Sequence, residues 1–98
     1  MKSQDYSGIA ALVLVRTPAA KSVMMFIAAM LDKSSAEFNS LAIERYTRLC
    51  HKTVSSACIA LRKIGVLSWK RGYGRSPNTY QLDRQRMVEL VGQQTHRL

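Results

Sequence analysis

At Gly65 the chain changes the period of its apolar residues, and that switch constrains the fold more than any other feature of the sequence. Before it, Val54, Ala57, Cys58, Leu61 and Ile64 recur every three or four residues, which places them on one face of a helix over about 50–64. After it, VLSWK (66–70) and TYQL (79–82) are short, rich in strand formers, and separated by the turn-rich segment RGYGRSPN. Gly65 suits the end of the helix, where a left-handed residue satisfies the last carbonyls. The pattern predicts a helix followed at once by an antiparallel β-hairpin with a basic tip.

Upstream, Thr17-Pro18 is a helix start, with Thr as N-cap and Pro at the first helical position. Val23, Met24, Phe26, Ile27, Met30 and Leu31 then give a broad apolar stripe, and the polar stretch 32–35 breaks it. Phe38 anchors a short extended piece. Asn39 or Ser40 caps a second helix to about Thr47, expected to bury Leu41, Ile43 and Tyr46, and a turn at Arg48-Leu49 leads into the helix over 50–64. The run IAALVLV (9–15) is apolar on all sides, so it is buried in the domain or against a partner subunit, as helix or as strand. Asp83 caps a last helix, about 84–91, with Met87, Leu90 and Val91 inward and Gly92 ending it. The 98 residues therefore read as one mainly α domain with a small antiparallel hairpin. Its core spans about 17–82, with an apolar segment at 8–16 before it and the last helix after it.

Charge is the unusual part of the composition. The net charge is +9, and 47% hydrophobic residues is too high for a disordered polybasic chain. Residues 1–44 are neutral, 76–98 carry +1, and 45–75 hold eight cations and no acid. A solvated face normally mixes signs, so this window predicts a polyanionic partner, nucleic acid first and an anionic membrane second. The run at 9–15 is short for a signal core and lacks a cleavage site, and the uncharged stretch 23–31 is about half of what a bilayer needs. On one helix Cys50 and Cys58 would stand about 12 Å apart, too far for a disulfide, and free thiols imply a reducing cytoplasm.

The stretch 43–67, IERYTRLCHKTVSSACIALRKIGVL, resembles the winged helix-turn-helix family of plasmid and phage replication and regulatory proteins. Their run is an apolar residue, Tyr-Thr-Gly-Leu-Ser-x-x-Thr-Val, a Leu-rich helix, and Leu-Gly followed by Val or Leu. Residues 71–82, RGYGRSPNTYQL, are similar to the same family's wing and returning strand. The resemblance implies a winged helix-turn-helix fold and binding to double-stranded DNA. Two positions depart from it. Arg48 stands where the family has Gly, which makes a left-handed turn costlier by roughly 1 kcal/mol. Cys50, a poor cap, stands where the family has Ser.

A major groove admits one helix, whose outward residues reach base edges. With Val54, Cys58 and Leu61 inward, the expected base contacts are His51, Lys52, Ser55, Ser56 and Ile59. Thr47, Arg48 and Thr53 at the turn, and Lys70, Arg71, Tyr73 and Arg75 in or beside the hairpin, are expected on phosphates, which fix register. Arg62 and Lys63 read as solubilising charges near a helix C-terminus. One helix reads few base pairs, so a homodimer on an inverted repeat is expected, built from Ile9, Leu12, Val13, Met87, Leu90 and Val91 of the terminal segments.

Other readings are weaker. Cys50 and His51 point about 100° apart on a helix and form no nucleophile–base pair, and no paired zinc spacing exists, so neither an enzyme nor a metal or cofactor site is expected. Gly72-Tyr73-Gly74 lacks the strand–loop–helix context of a nucleotide loop. No small-molecule ligand is evident. A small repressor is the first expectation; a plasmid or phage replication initiator and a winged-helix protein-interaction module are the alternatives.

Overall fold

The computed structural model describes residues 6–32, 37–72 and 76–96. In chain order these form α1 (Tyr6–Leu12), α2 (Pro18–Asp32), β1 (Glu37–Phe38), α3 (Ser40–Thr47), α4 (His51–Lys63), β2 (Leu67–Lys70), β3 (Asn78–Leu82) and α5 (Arg84–His96). The molecule is mainly helical with one three-stranded antiparallel sheet, ordered β1-β3-β2.

Helix α2 is the hub. Thr17 caps it as expected, its Oγ1 accepting the Ala20 amide at 3.1 Å. Val23, Met24, Ile27 and Ala28 are fully buried, and α2 packs on α1, α3, α4 and β3. The apolar run at 9–15 is helical to Leu12 and without regular structure beyond it, and α2 supplies both ends of α1 with the charge they need. At its start the Asp32 carboxylate accepts the Tyr6 and Ser7 amides at 2.8 and 3.1 Å. At its end Lys21 Nζ donates to the carbonyls of Ala10 (2.8 Å), Ala11 (2.9 Å) and Val13. An acid at the amino end and an ammonium at the carboxyl end both oppose the helix dipole. Burial works against the Asp32 charge, but hydrogen bonds from the Ser7 side chain and the Tyr6 and Ser7 amides outweigh it and hold the carboxyl below its usual range. Lys21→Met leaves those carbonyls without their donor. We expect it to destabilise the protein by about 1–3 kcal/mol in chemical denaturation.

In the sheet Phe38 pairs with Asn78, Leu67 with Leu82 and Trp69 with Tyr80. Leu67, Tyr80 and Leu82 turn into the core while Ser68 and Gln81 face water, the alternation of a half-covered sheet. Phe38 stacks on Tyr80 at 4.5 Å, and Phe26 of α2 meets its edge at 5.3 Å, so the short β1 is held by rings more than by its two-residue ladder. Asn78 closes the hairpin: its side chain accepts the Gly72 amide and donates to the Tyr80 hydroxyl, each at 3.2 Å. A Cβ at Gly72 would collide with the carbonyl oxygens of Ser76 and Pro77.

Several expectations need correction. Only Ile43 of α3 is buried; Leu41 is 53% and Tyr46 70% exposed, because a two-turn helix offers the core a narrow stripe. Tyr46 instead lies against the Phe26 ring at 4.7 Å. Ile64 sits one residue beyond α4, outside its buried stripe. Gly92 does not end the last helix. Asp83 caps α5 as expected, through Oδ1 to the Arg86 amide at 3.0 Å, but the helix continues to His96. Beyond Gly92 it is held by Gln94, whose amide accepts from the Leu14 N–H and donates to the Leu14 carbonyl, both at 2.9 Å.

The terminal segments pack within the chain's own core. Val13 and Met87 are fully buried there, and Ile9, Leu90 and Val91 lie partly buried on the same core. Val13 and Met87 thus pack inside the chain itself, and Leu12, 63% exposed, is the open member of the expected set. Among the described residues no helix is long and apolar enough to cross a membrane.

Candidate nucleic-acid interface

Helices α3 and α4 are joined by three residues, and the turn is built from local bonds. Arg48 takes the left-handed conformation (φ 61°, ψ 26°) and donates its amide to the Glu44 carbonyl at 2.8 Å. The chain therefore accepts at Arg48 the strain that a glycine would avoid. Thr47 donates its hydroxyl to the Ile43 carbonyl at 2.7 Å and accepts the Leu49 amide at 3.4 Å, so this side chain sets the turn as well as lining its edge. Cys50 is the N-cap of α4 without a side-chain cap bond, as its weakness as a cap predicts. Its Sγ lies 3.1 Å from Thr53 Oγ1.

On α4, Val54, Ala57, Cys58 and Leu61 face inward. At 100° per residue the opposite side carries Lys52, Ser56, Ile59 and Lys63 in steps of four, three and four, and all four are exposed. This stripe unites three of the five expected base-contacting residues. The other two lie on its flank. His51 turns toward α3, with Nδ1 3.1 Å from the Glu44 carboxylate, and Ser55 is half-buried. Thr53 lies on the opposite flank, half-buried. Lys63, read from the sequence as a solubilising charge, completes this stripe at a spacing of four from Ile59.

Arg62 does more than solubilise: its guanidinium sits 4.7 Å from the centre of the Trp69 ring and ties α4 to β2. Arg86 crosses from α5 to donate through Nε to the Ile64 carbonyl at 2.9 Å, beside Gly65 in its left-handed turn (φ 84°). The exposed cations Arg45, Arg48, Lys52, Lys63, Lys70 and Arg71 have no carboxylate partner among the described residues. They are carried by α3, the α3–α4 turn, α4 and β2, with Arg71 just beyond β2. Tyr73 and Arg75, expected at its tip, lie outside the described residues.

The two cysteines behave oppositely. Cys50 is exposed, and its hydrogen bond with the Thr53 side chain lowers its pKa. Cys58 is buried, and burial pushes its thiol up to about 11. We expect iodoacetamide to modify Cys50 in the native protein and Cys58 only on unfolding, as mass spectrometry would show. The folded-state pKa of Cys58 lies above its ordinary value of 9.0, so its contribution to stability is complete below pH 9.0 and is lost as pH rises to about 11. Burial raises the Tyr80 hydroxyl as well, and the denaturation midpoint should fall across that alkaline range. Among the described residues no group of three His, Cys, Asp or Glu could hold a metal ion. Comparison with protein families, with curated proteins and with solved structures finds no match to this chain.

Proposed function

We propose that this chain is a sequence-specific, double-stranded DNA-binding regulator of the winged helix-turn-helix class, most simply a small repressor. The observation that carries the reading is the exposed stripe Lys52, Ser56, Ile59 and Lys63 on α4, bordered by cations without carboxylate partners. The element order supports the class. Helix α2, strand β1, helices α3 and α4, and the hairpin β2–β3, with β3 central in the sheet, follow the succession of a winged helix. In this reading α4 enters the major groove, Lys52 donates to guanine, Ser56 adapts to either edge, and Ile59 touches a thymine methyl. Arg48, Lys70 and Arg71 meet phosphates, and Lys63 extends the contact along the groove.

A homodimer on an inverted repeat belongs to the same proposal. Leu12 on α1 and Val88 on α5, 63% and 49% exposed, are the apolar side chains available for it on the terminal helices. Protomer extents of 44 × 33 × 20 Å are compatible with recognition helices about 34 Å apart, one turn of duplex. Selection from random duplexes should return an inverted repeat, and light scattering should show a dimer at micromolar concentration. A single half-site and a monomer would overturn the dimer.

A further inference from the structure

We propose that the groove between α4 and the amino end of α2 binds an amphipathic carboxylate, an apolar body with one anionic head. The groove encloses about 920 Å³, within the roughly 300–1,000 Å³ range of small-molecule sites. It exists because α4 and α2 meet there through alanines: Ala19 and Ala20 on one wall, Ala57 and Ala60 on the other. Leu14, Leu61, Ile64 and Leu90 complete an apolar lining.

The polar groups have one sign. Among the described residues, Arg16 and Lys63 are the charged members of the lining, and no Asp or Glu joins them. Neither cation has a hydrogen-bond or ion-pair partner among the described residues, and the Ser56 hydroxyl is likewise unpaired. The other polar side chains there are already engaged: Thr17 caps α2, Thr53 meets Cys50, and Gln94 holds Leu14. The amino end of α2 opens on the same space and adds partial positive charge to that of Arg16. An apolar body displaces water from the alanine walls, and a carboxylate satisfies the unpartnered donors at the rim. A cationic ligand would meet repulsion, and an uncharged one would leave the cations unused.

The groove also explains a regulatory consequence, which rests on the duplex reading. Ser56 and Lys63 belong both to the groove and to the exposed stripe of α4, so a bound carboxylate withdraws them from DNA and lowers duplex affinity. Ligand binding itself is measured without DNA, so failure of either idea is seen separately.

The test uses the full chain with dodecanoate and dodecyltrimethylammonium below their micelle concentrations and dodecanol below its solubility limit, read by calorimetry and thermal shift. We expect dodecanoate to bind at one site per chain and raise Tm, dodecanol to bind about tenfold more weakly, and the cation to give no shift. Ala60→Trp fills the groove and should abolish dodecanoate binding. Lys63→Ala, an exposed change that spares the fold, should weaken dodecanoate about tenfold and leave dodecanol within about twofold. Binding at many sites, equal affinity for the anion and the cation, or dodecanoate affinity unchanged in both variants would overturn the proposal. So would light scattering in which Ala60→Trp dissociates a dimer that dodecanoate does not affect, because a second copy would then occupy the groove.

Discussion

Lys52→Ala should cost roughly 1–3 kcal/mol of affinity at the preferred duplex and flatten the preference among sequences, while Arg71→Ala weakens every duplex alike. The difference follows from position. Lys52 is exposed in the first turn of α4, on the face opposite Val54, Cys58 and Leu61, where a helix lying in the major groove presents its side chains to base edges. Arg71 follows β2 and has no carboxylate partner among the described residues, so in the proposed complex it is assigned to the uniform phosphate backbone. A phosphate contact releases a condensed counterion, and its loss should reduce the slope of log affinity against log salt by about 1. Lys52→Ala should change the binding profile more than that slope. Competition binding with a panel of duplexes at several salt concentrations separates the two. If both variants lose affinity equally on all sequences with the same change in slope, α4 does not read bases.

Phe38→Ala should destabilise the protein by about 3–5 kcal/mol, a fall in Tm of roughly 15–30 °C for a domain of this size. Phe38 is 7% exposed, stacked on Tyr80 of β3 and met edge-on by Phe26 of α2. Truncation empties the junction of sheet and helices and leaves β1 with only a two-residue ladder. Leu41→Ala is the informative contrast. The sequence pattern counts Leu41 as core, yet it is 53% exposed, and its truncation should stay within about 0.5 kcal/mol. Differential scanning calorimetry of the two variants checks both numbers. Equal losses would mean that α3 packs more deeply than its exposed Leu41 and Tyr46 show.

What was legible in the sequence was whatever depended on local periodicity and capping. The α4 stripe, the Thr17-Pro18 start of α2, the Asp83 cap and the switch to strands after Gly65 all follow from neighbours within one turn or one strand. Arg48 stood out only through the resemblance, as the residue at the family's glycine, which left a reshaped or a strained turn open; the backbone takes the strained, left-handed one. The missed features need contacts remote in sequence. Lys21 and Asp32 hold opposite ends of α1, Arg62 lies over Trp69, and Gln94 carries α5 past Gly92 by bonding to Leu14. No pattern within α3 separates Ile43, which is buried, from Leu41, because the distinction lies in where α2 and α4 stand. The candidate stripe was legible in three of its four residues. Lys63 escaped because a cation in the last turn of a helix has a sufficient local reason to be there.

The salt dependence of duplex binding tests the central claim most directly. The full chain, titrated with a fluorescent duplex from selection between about 50 and 200 mM salt, should lose affinity along a straight log–log line. Several phosphate contacts, from cations such as Arg48, Lys70 and Arg71, predict a slope of several units for wild type and a smaller one for Arg71→Ala. Absence of measurable binding to any duplex at the lowest salt would contradict the account.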